Sequence, residues 1–134
     1  MPERLPRGLL DTSVVIDLNL LAADLLPEEV AISAITLAEL AAGPFAATSV
    51  DERARRQDRL QRVEAAFDPL PFGVDAARAH ARIFAAAREA GRQPRRRAAD
   101  LLIAATALAE QLPLVTRNGD DFAGLDALIH VVEV

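Results

Sequence analysis

The sequence predicts an α/β sandwich built around a mainly parallel sheet. Three observations lead there. Short apolar runs alternate along the chain with longer stretches of helical periodicity. Glycine, proline and aspartate punctuate the junctions between them. With 134 residues, 51% of them hydrophobic, the chain suits one core-bearing domain, taken as residues 1–134.

The first element is a buried strand over Gly8 to Asp11, followed by a helix from Val14 with Ser13 as its cap. An apolar segment from Leu18 to Leu26 ends at Pro27. Val30 to Ser33 is a second strand. It leads into a helix from Ile35 to Ala42, which Gly43-Pro44 is expected to stop. Asp51 is expected to cap a helix running to Phe67, with Leu60 and Val63 on one side and Arg55, Arg59 and Arg62 on another. Leu70-Pro71-Phe72 reads as a third strand, placed at an edge by its proline. Asp75 opens a helix to Ala90, with Gly91 as its stop, and a basic loop follows to Arg97. Ala98 to Gln111 is apolar around most of its circumference, so this helix is expected to be buried. Pro113 to Thr116 is a strand, Gly119 to Gly124 a turn, and Ile129 to Val134 the closing strand. No repeat or low-complexity tract interrupts the pattern.

Composition removes several function classes. There is no cysteine, hence no disulfide framework, thiolate metal site or cysteine nucleophile, and a cytoplasmic location is expected. No apolar run reaches membrane-spanning length, and the start lacks a signal-peptide core. His80 and His130 lack ligand spacing, which argues against zinc, and both read as structural. The net charge of −5 excludes a generally basic nucleic-acid binder. All the basic residues are nevertheless arginine. They cluster over Arg53 to Arg62, over Arg78 to Arg92, and in Arg95-Arg96-Arg97. The first two clusters read as solvated helix faces. The third immediately precedes Asp100 and is assigned to phosphate contact, together with Arg117.

Four acids stand within or beside apolar sequence: Asp11, Glu39, Asp100 and Asp121. Carboxylates in such places are unfavourable unless positive charge is held among them. In a parallel sheet, ligands bind beyond the carboxyl ends of the strands. Asp11 follows the first strand, and Ser33 ends the second and leads to Glu39. Asp100 opens the buried helix, and Asp121 follows the strand after it. A hard cation bound by oxygens, Mg2+ or Mn2+, accounts for the set, with Asp11 and Asp100 as direct ligands. Glu39 and Asp121 would act directly or through water. Two metals about 3.5–4 Å apart could activate water and stabilise the leaving oxygen of a phosphodiester. Thr12, Ser13, Thr116 and Asn118 are short polar groups suited to orienting carboxylates or water. Taken singly, Asp11 also reads as a turn or cap residue, Glu39 as a surface acid, Asp100 as a helix-dipole residue and Asp121 as a turn acid with Asp120 as competitor.

With these residues in place, the chain resembles the PIN-domain ribonucleases, most closely the VapC-type toxins of toxin–antitoxin pairs. The resemblance spans essentially the whole chain. It rests on four blocks in order: Leu10-Asp11-Thr12-Ser13; Ile35-Thr36-Leu37-Ala38-Glu39-Leu40 with Gly43; Asp100-Leu101-Leu102-Ile103-Ala104-Ala105-Thr106-Ala107; and Val115-Thr116-Arg117-Asn118 with Asp121-Phe122. It implies an α/β/α sandwich with a four- or five-stranded, mainly parallel sheet. It also implies a Mg2+- or Mn2+-dependent endoribonuclease that cuts tRNA, rRNA or mRNA and inhibits translation. Asp11, Glu39, Asp100 and Asp121 match the family's catalytic acids, and Thr12, Thr116 and Asn118 its polar positions. The expected partners are a second copy of the chain and a VapB-type antitoxin, seated on apolar helix faces around Leu60 and Ile83.

Other readings are weaker. A phosphatase of the haloacid-dehalogenase type needs a second aspartate where Ser13 stands. A receiver-type signalling domain relies on a lysine, and this chain has none. A catalytically silent PIN-like RNA-binding module remains the alternative, opposed by the presence of all four acids. Five phenylalanines and no tyrosine or tryptophan leave little aromatic surface for base stacking.

Overall fold

A computed structural model describes residues 3–134. Four strands, β1 (Arg7–Leu10), β2 (Glu29–Ile32), β3 (Leu114–Thr116) and β4 (Val131–Glu133), form one sheet in the order β2-β1-β3-β4. Every pairing is parallel, with Leu10 beside both Ile32 and Val115. The chain steps from β1 outward to β2, then returns to the other side of β1 for β3. The junction of β1 and β3 is therefore the point where strand order reverses, the ordinary place for a ligand crevice in an open α/β sheet.

Helices α1 (Thr12–Ile16), α2 (Ala34–Ala46), α3 (Val50–Ala66), α4 (Val74–Glu89) and α5 (Ala98–Glu110) cover the sheet in two layers. Strand alternation sorts them. Leu9 and Leu114 point into a core with Ile83 and Ala87 of α4 and with Leu101, Ala104 and Ala105 of α5. Leu10 and Val115 point the other way, against Val14 and Val15 of α1, Leu40 of α2 and Val63 of α3. The result is the three-layered α/β/α sandwich that the alternation of elements implied. α5 is packed with alanines, which lets it lie close against both α4 and the sheet.

The structure corrects several boundaries. α1 begins at Thr12 and its cap is Asp11, not Ser13, because the Asp11 carboxylate accepts the Ser13 backbone N–H. α3 is capped by Ser49, whose Oγ accepts the Glu52 N–H at 3.1 Å. Asp51 sits instead in the first turn, where its charge meets the positive helix end. α2 runs through Gly43-Pro44 to Ala46. A proline this near the helix end removes one internal bond, and the Gly43 carbonyl is taken by Arg56 Nη1 at 2.9 Å.

The expected third strand shrinks to a single bridge between Leu70 and Ser33, which leaves four strands. Leu70 donates to Ile32 O and accepts from Ala34 N, but Pro69 and Pro71 on either side have no N–H to extend the ladder. The basic loop contains a 3-10 turn over Pro94–Arg97. Ile83, expected on an exposed face, is fully buried; it shares the inner stripe of α4 with Ala76, Ala79 and Ala87. Among the described residues no helix is long and apolar enough to cross a membrane.

Candidate active site

The site forms where β1 and β3 end. Asp11 emerges from β1 and is only 4% exposed. Its Oδ2 accepts the Thr116 hydroxyl at 2.6 Å from the end of β3, and its Oδ1 accepts both the Ser13 N–H and the Ser13 hydroxyl. Ser13 Oγ in turn accepts the Arg117 N–H at 3.1 Å, and Thr116 Oγ1 accepts the Asn118 N–H at 3.0 Å. Each hydroxyl thus relays between a carboxylate oxygen and a backbone donor, which fixes its hydrogen and the carboxylate's orientation.

A second chain of bonds places Glu39. Ser33 Oγ caps α2 by accepting the Thr36 N–H at 3.1 Å. Thr36 Oγ1 lies 3.0 Å from Thr12 Oγ1, which donates to Glu39 Oε1 at 2.6 Å. Thr36 is three residues before Glu39, hence on the same helix face. Its fully buried hydroxyl escaped the sequence reading; the spacing was the signal that could have found it.

Asp100 lies in the first turn of α5 and Asp121 in the 3-10 turn Gly119–Phe122. Burial, and then the negative charges of Asp121, Asp11 and Glu39, raise the Asp100 pKa to about 6, against a small opposing effect of Arg97. All four sequence-predicted acids therefore act on one place. Asp120 is exposed and its backbone carbonyl accepts from Arg92, so Asp121 is the acid that faces the cleft.

The arginines divide. Arg97 turns inward, bonds Asp121 through Nη1 and lies 3.8 Å from Asp100 Oδ2. Arg95 and Arg96 are exposed beside it. Arg117 turns toward Asp17, at 3.7 Å. Arg55 and Arg56 pair with Glu52, Arg56 on the side of α3 that meets α2, and Arg62 pairs with Asp58 on the exposed side. His80 packs against Phe84 with ring centroids 6.1 Å apart.

Among the described residues no three acidic or histidine side chains close into a metal cage. The arrangement suits a hydrated cation that takes one or two carboxylates directly. A guanidinium already lies against two of the acids, which shows that positive charge fits there.

Comparison with known proteins agrees with this geometry. The model of the PIN domain matches residues 8–128. Ribonuclease VapC5 of Mycobacterium tuberculosis is 43% identical over 132 residues, covering 95% of each chain. The crystal structure of VapBC-5, a member of the VapBC family of toxin-antitoxin systems from the same organism, superposes with a TM-score of 0.81 at 40% identity. That match covers 96% of this chain and 99% of the other. FitAcB from Neisseria gonorrhoeae matches with a TM-score of 0.71 at 31% identity, over 93% of this chain and 96% of that one. The chain belongs to the PIN-domain family.

Proposed function

We propose that this protein is a metal-dependent endoribonuclease, the toxin of a toxin–antitoxin pair. The observation that carries the reading is the convergence of Asp11, Glu39 and Asp121 on the half-buried Asp100, at the reversal point of the sheet. Like charges so placed call for a cation. Mg2+ or Mn2+ would supply Lewis-acid stabilisation of a phosphodiester and a more acidic water.

The chain's own residues do the positioning. Asp11 and Asp100 are the direct ligands in this reading. Ser13 and Thr116 hold the Asp11 carboxylate in one orientation, and Thr12 does the same for Glu39. Asp121 is held by Arg97. Water attacks in line, giving a 5′-phosphate and a 3′-hydroxyl. Arg95, Arg96, Arg97 and Arg117 are the phosphate-contacting candidates, and tRNA, rRNA or mRNA is the substrate class whose loss stops translation.

The partner reading, an antitoxin and a second copy of the chain, has support of two kinds. VapBC-5 is a member of a family of toxin–antitoxin systems. This chain also exposes Ile16, Leu20, Leu25, Phe45 and Val50, large apolar side chains on or beside α1, α2 and α3. An arginine of a partner entering the cleft would use the same chemistry as Arg97.

The test is cleavage of total cellular RNA and of a tRNA pool with Mg2+, with Mn2+ and with EDTA, beside Asp100→Asn prepared identically. Discrete cuts that need metal and vanish in the variant are expected. Equal cleavage by the variant, or products ending in 2′,3′-cyclic phosphate, would sink the mechanism. RNA binding without cutting would favour the silent module instead.

A further inference from the structure

We propose that the groove between the C-terminal half of α4 and the turn after it is a docking site for single-stranded RNA, leading the strand to the acidic cleft. The proposal rests on the ribonuclease reading and adds a binding site outside the acids. The groove encloses about 390 Å³ and is lined by Phe84, Arg88, Arg92, Gln93, Pro94 and Arg95. No acidic residue lines it; Glu89 flanks its outer side.

Phe84 is 39% exposed although it neighbours the fully buried Ile83, so the register of α4 turns the ring outward. The His80 ring, inclined at 50°, props it from one side. Arg88 stands one helical turn further on the same face. Among the described residues no carboxylate pairs with Arg88, Arg92 or Arg95, whereas Arg55, Arg56 and Arg62 of α3 are each paired. Three uncompensated guanidiniums around one aromatic face, on a chain of net charge −5, form a local inversion of the surface charge.

The occupant follows from that chemistry. Guanidiniums take backbone phosphates, and a phenyl face takes an unstacked base, which requires a single strand. A second copy of the chain meeting it groove to groove would set the arginines of one against those of the other. Two of its arginines tie the groove to the site. Arg92 holds the Asp120 carbonyl at 2.6 Å, next to Asp121, and Arg95 is two residues before Arg97, which contacts Asp121 and Asp100.

The experiment is fluorescence anisotropy of a short fluorescein-labelled single-stranded RNA with the full chain in EDTA, where metal-dependent cleavage is silent. Phe84→Ala is expected to weaken binding by about tenfold. The double variant Arg88→Gln/Arg95→Gln should weaken it as well. It should also flatten the slope of log K against log salt by more than about one unit. Arg55→Gln, on the paired face of α3, should bind like the wild type. Unchanged affinity in both groove variants, or no RNA binding by the wild type, overturns the proposal. So does a loss of dimer in Phe84→Ala with RNA affinity intact, which would make the groove a subunit interface. Metal-dependent cleavage by wild type alongside unchanged binding in the variants would sink the groove alone and leave the ribonuclease reading standing.

Discussion

Asp100 is where burial and three neighbouring carboxylates push in the same direction. Its carboxyl, raised from 3.8 to about 6, binds more protons folded than unfolded between those values. Stability of the metal-free protein therefore falls as pH rises through that window, and the full loss is present above about pH 6. Asp100→Asn removes the charge, so in EDTA at pH 7.5 it should stabilise the fold by about 1–2 kcal/mol, allowing for solvent screening. Near pH 4 the advantage should vanish. Thermal melts at the two pH values check this, and a variant less stable at pH 7.5 would mean that Asp100 has a structural bond of its own. Asp11 is a poorer probe, because it also caps α1 and ties β1 to β3. The four acids were legible because each stands against apolar neighbours. Their hydrogen bonds were not: Asp11 and Thr116 are 105 positions apart, and nothing in either block names the other. Arg97 was read as a phosphate contact, and its inward turn depends on the 3-10 turn that precedes α5.

Elements were legible to the extent that their ends are set locally. The αL residue Gln111 closes α5 without a glycine, and Gly91, with φ +78°, follows α4 where a stop was expected. Where an end depends on a distant group, the sequence misled. Gly43-Pro44 looks like a helix stop, yet α2 continues to Ala46, and Arg56 of α3 takes up the Gly43 carbonyl near its end. Leu70 looks like a strand until its two flanking prolines are set against β2. Gly124 is the converse case, a turn residue whose identity is fixed by another element. It has φ +90°, and a Cβ there would lie 2.5 Å from the Ala90 Cβ just beyond α4. Gly124→Ala combines a disfavoured backbone with a clash and should destabilise by about 2–3 kcal/mol in chemical denaturation. An unchanged midpoint would show that the end of α4 moves aside freely.

At the scale of the molecule, the sandwich was legible from the alternation of strands and helices, whereas strand order was not. Apolar patterning tells which residues are buried but not which strand lies beside which. The observed order puts β1 in the middle, with Leu9 in one core and Leu10 in the other. The two cores are thus joined through adjacent residues of one strand. Leu10→Ala should cost about 2–5 kcal/mol, with both layers still unfolding together. Because the chain has no tryptophan or tyrosine, far-UV circular dichroism and calorimetry are the suitable pair of probes. Two separated transitions would show that the layers are independent.

The same strand order has a consequence for synthesis. Asp11 and Glu39 leave the ribosome well before their companions Asp100 and Asp121. β3, which carries Thr116 to Asp11, must insert beside β1 after all five helices have been made. A nascent chain therefore carries half of the acids and no cleft. The acidic cleft comes into being only once α5, β3 and the turn that carries Asp121 have been made and docked on β1.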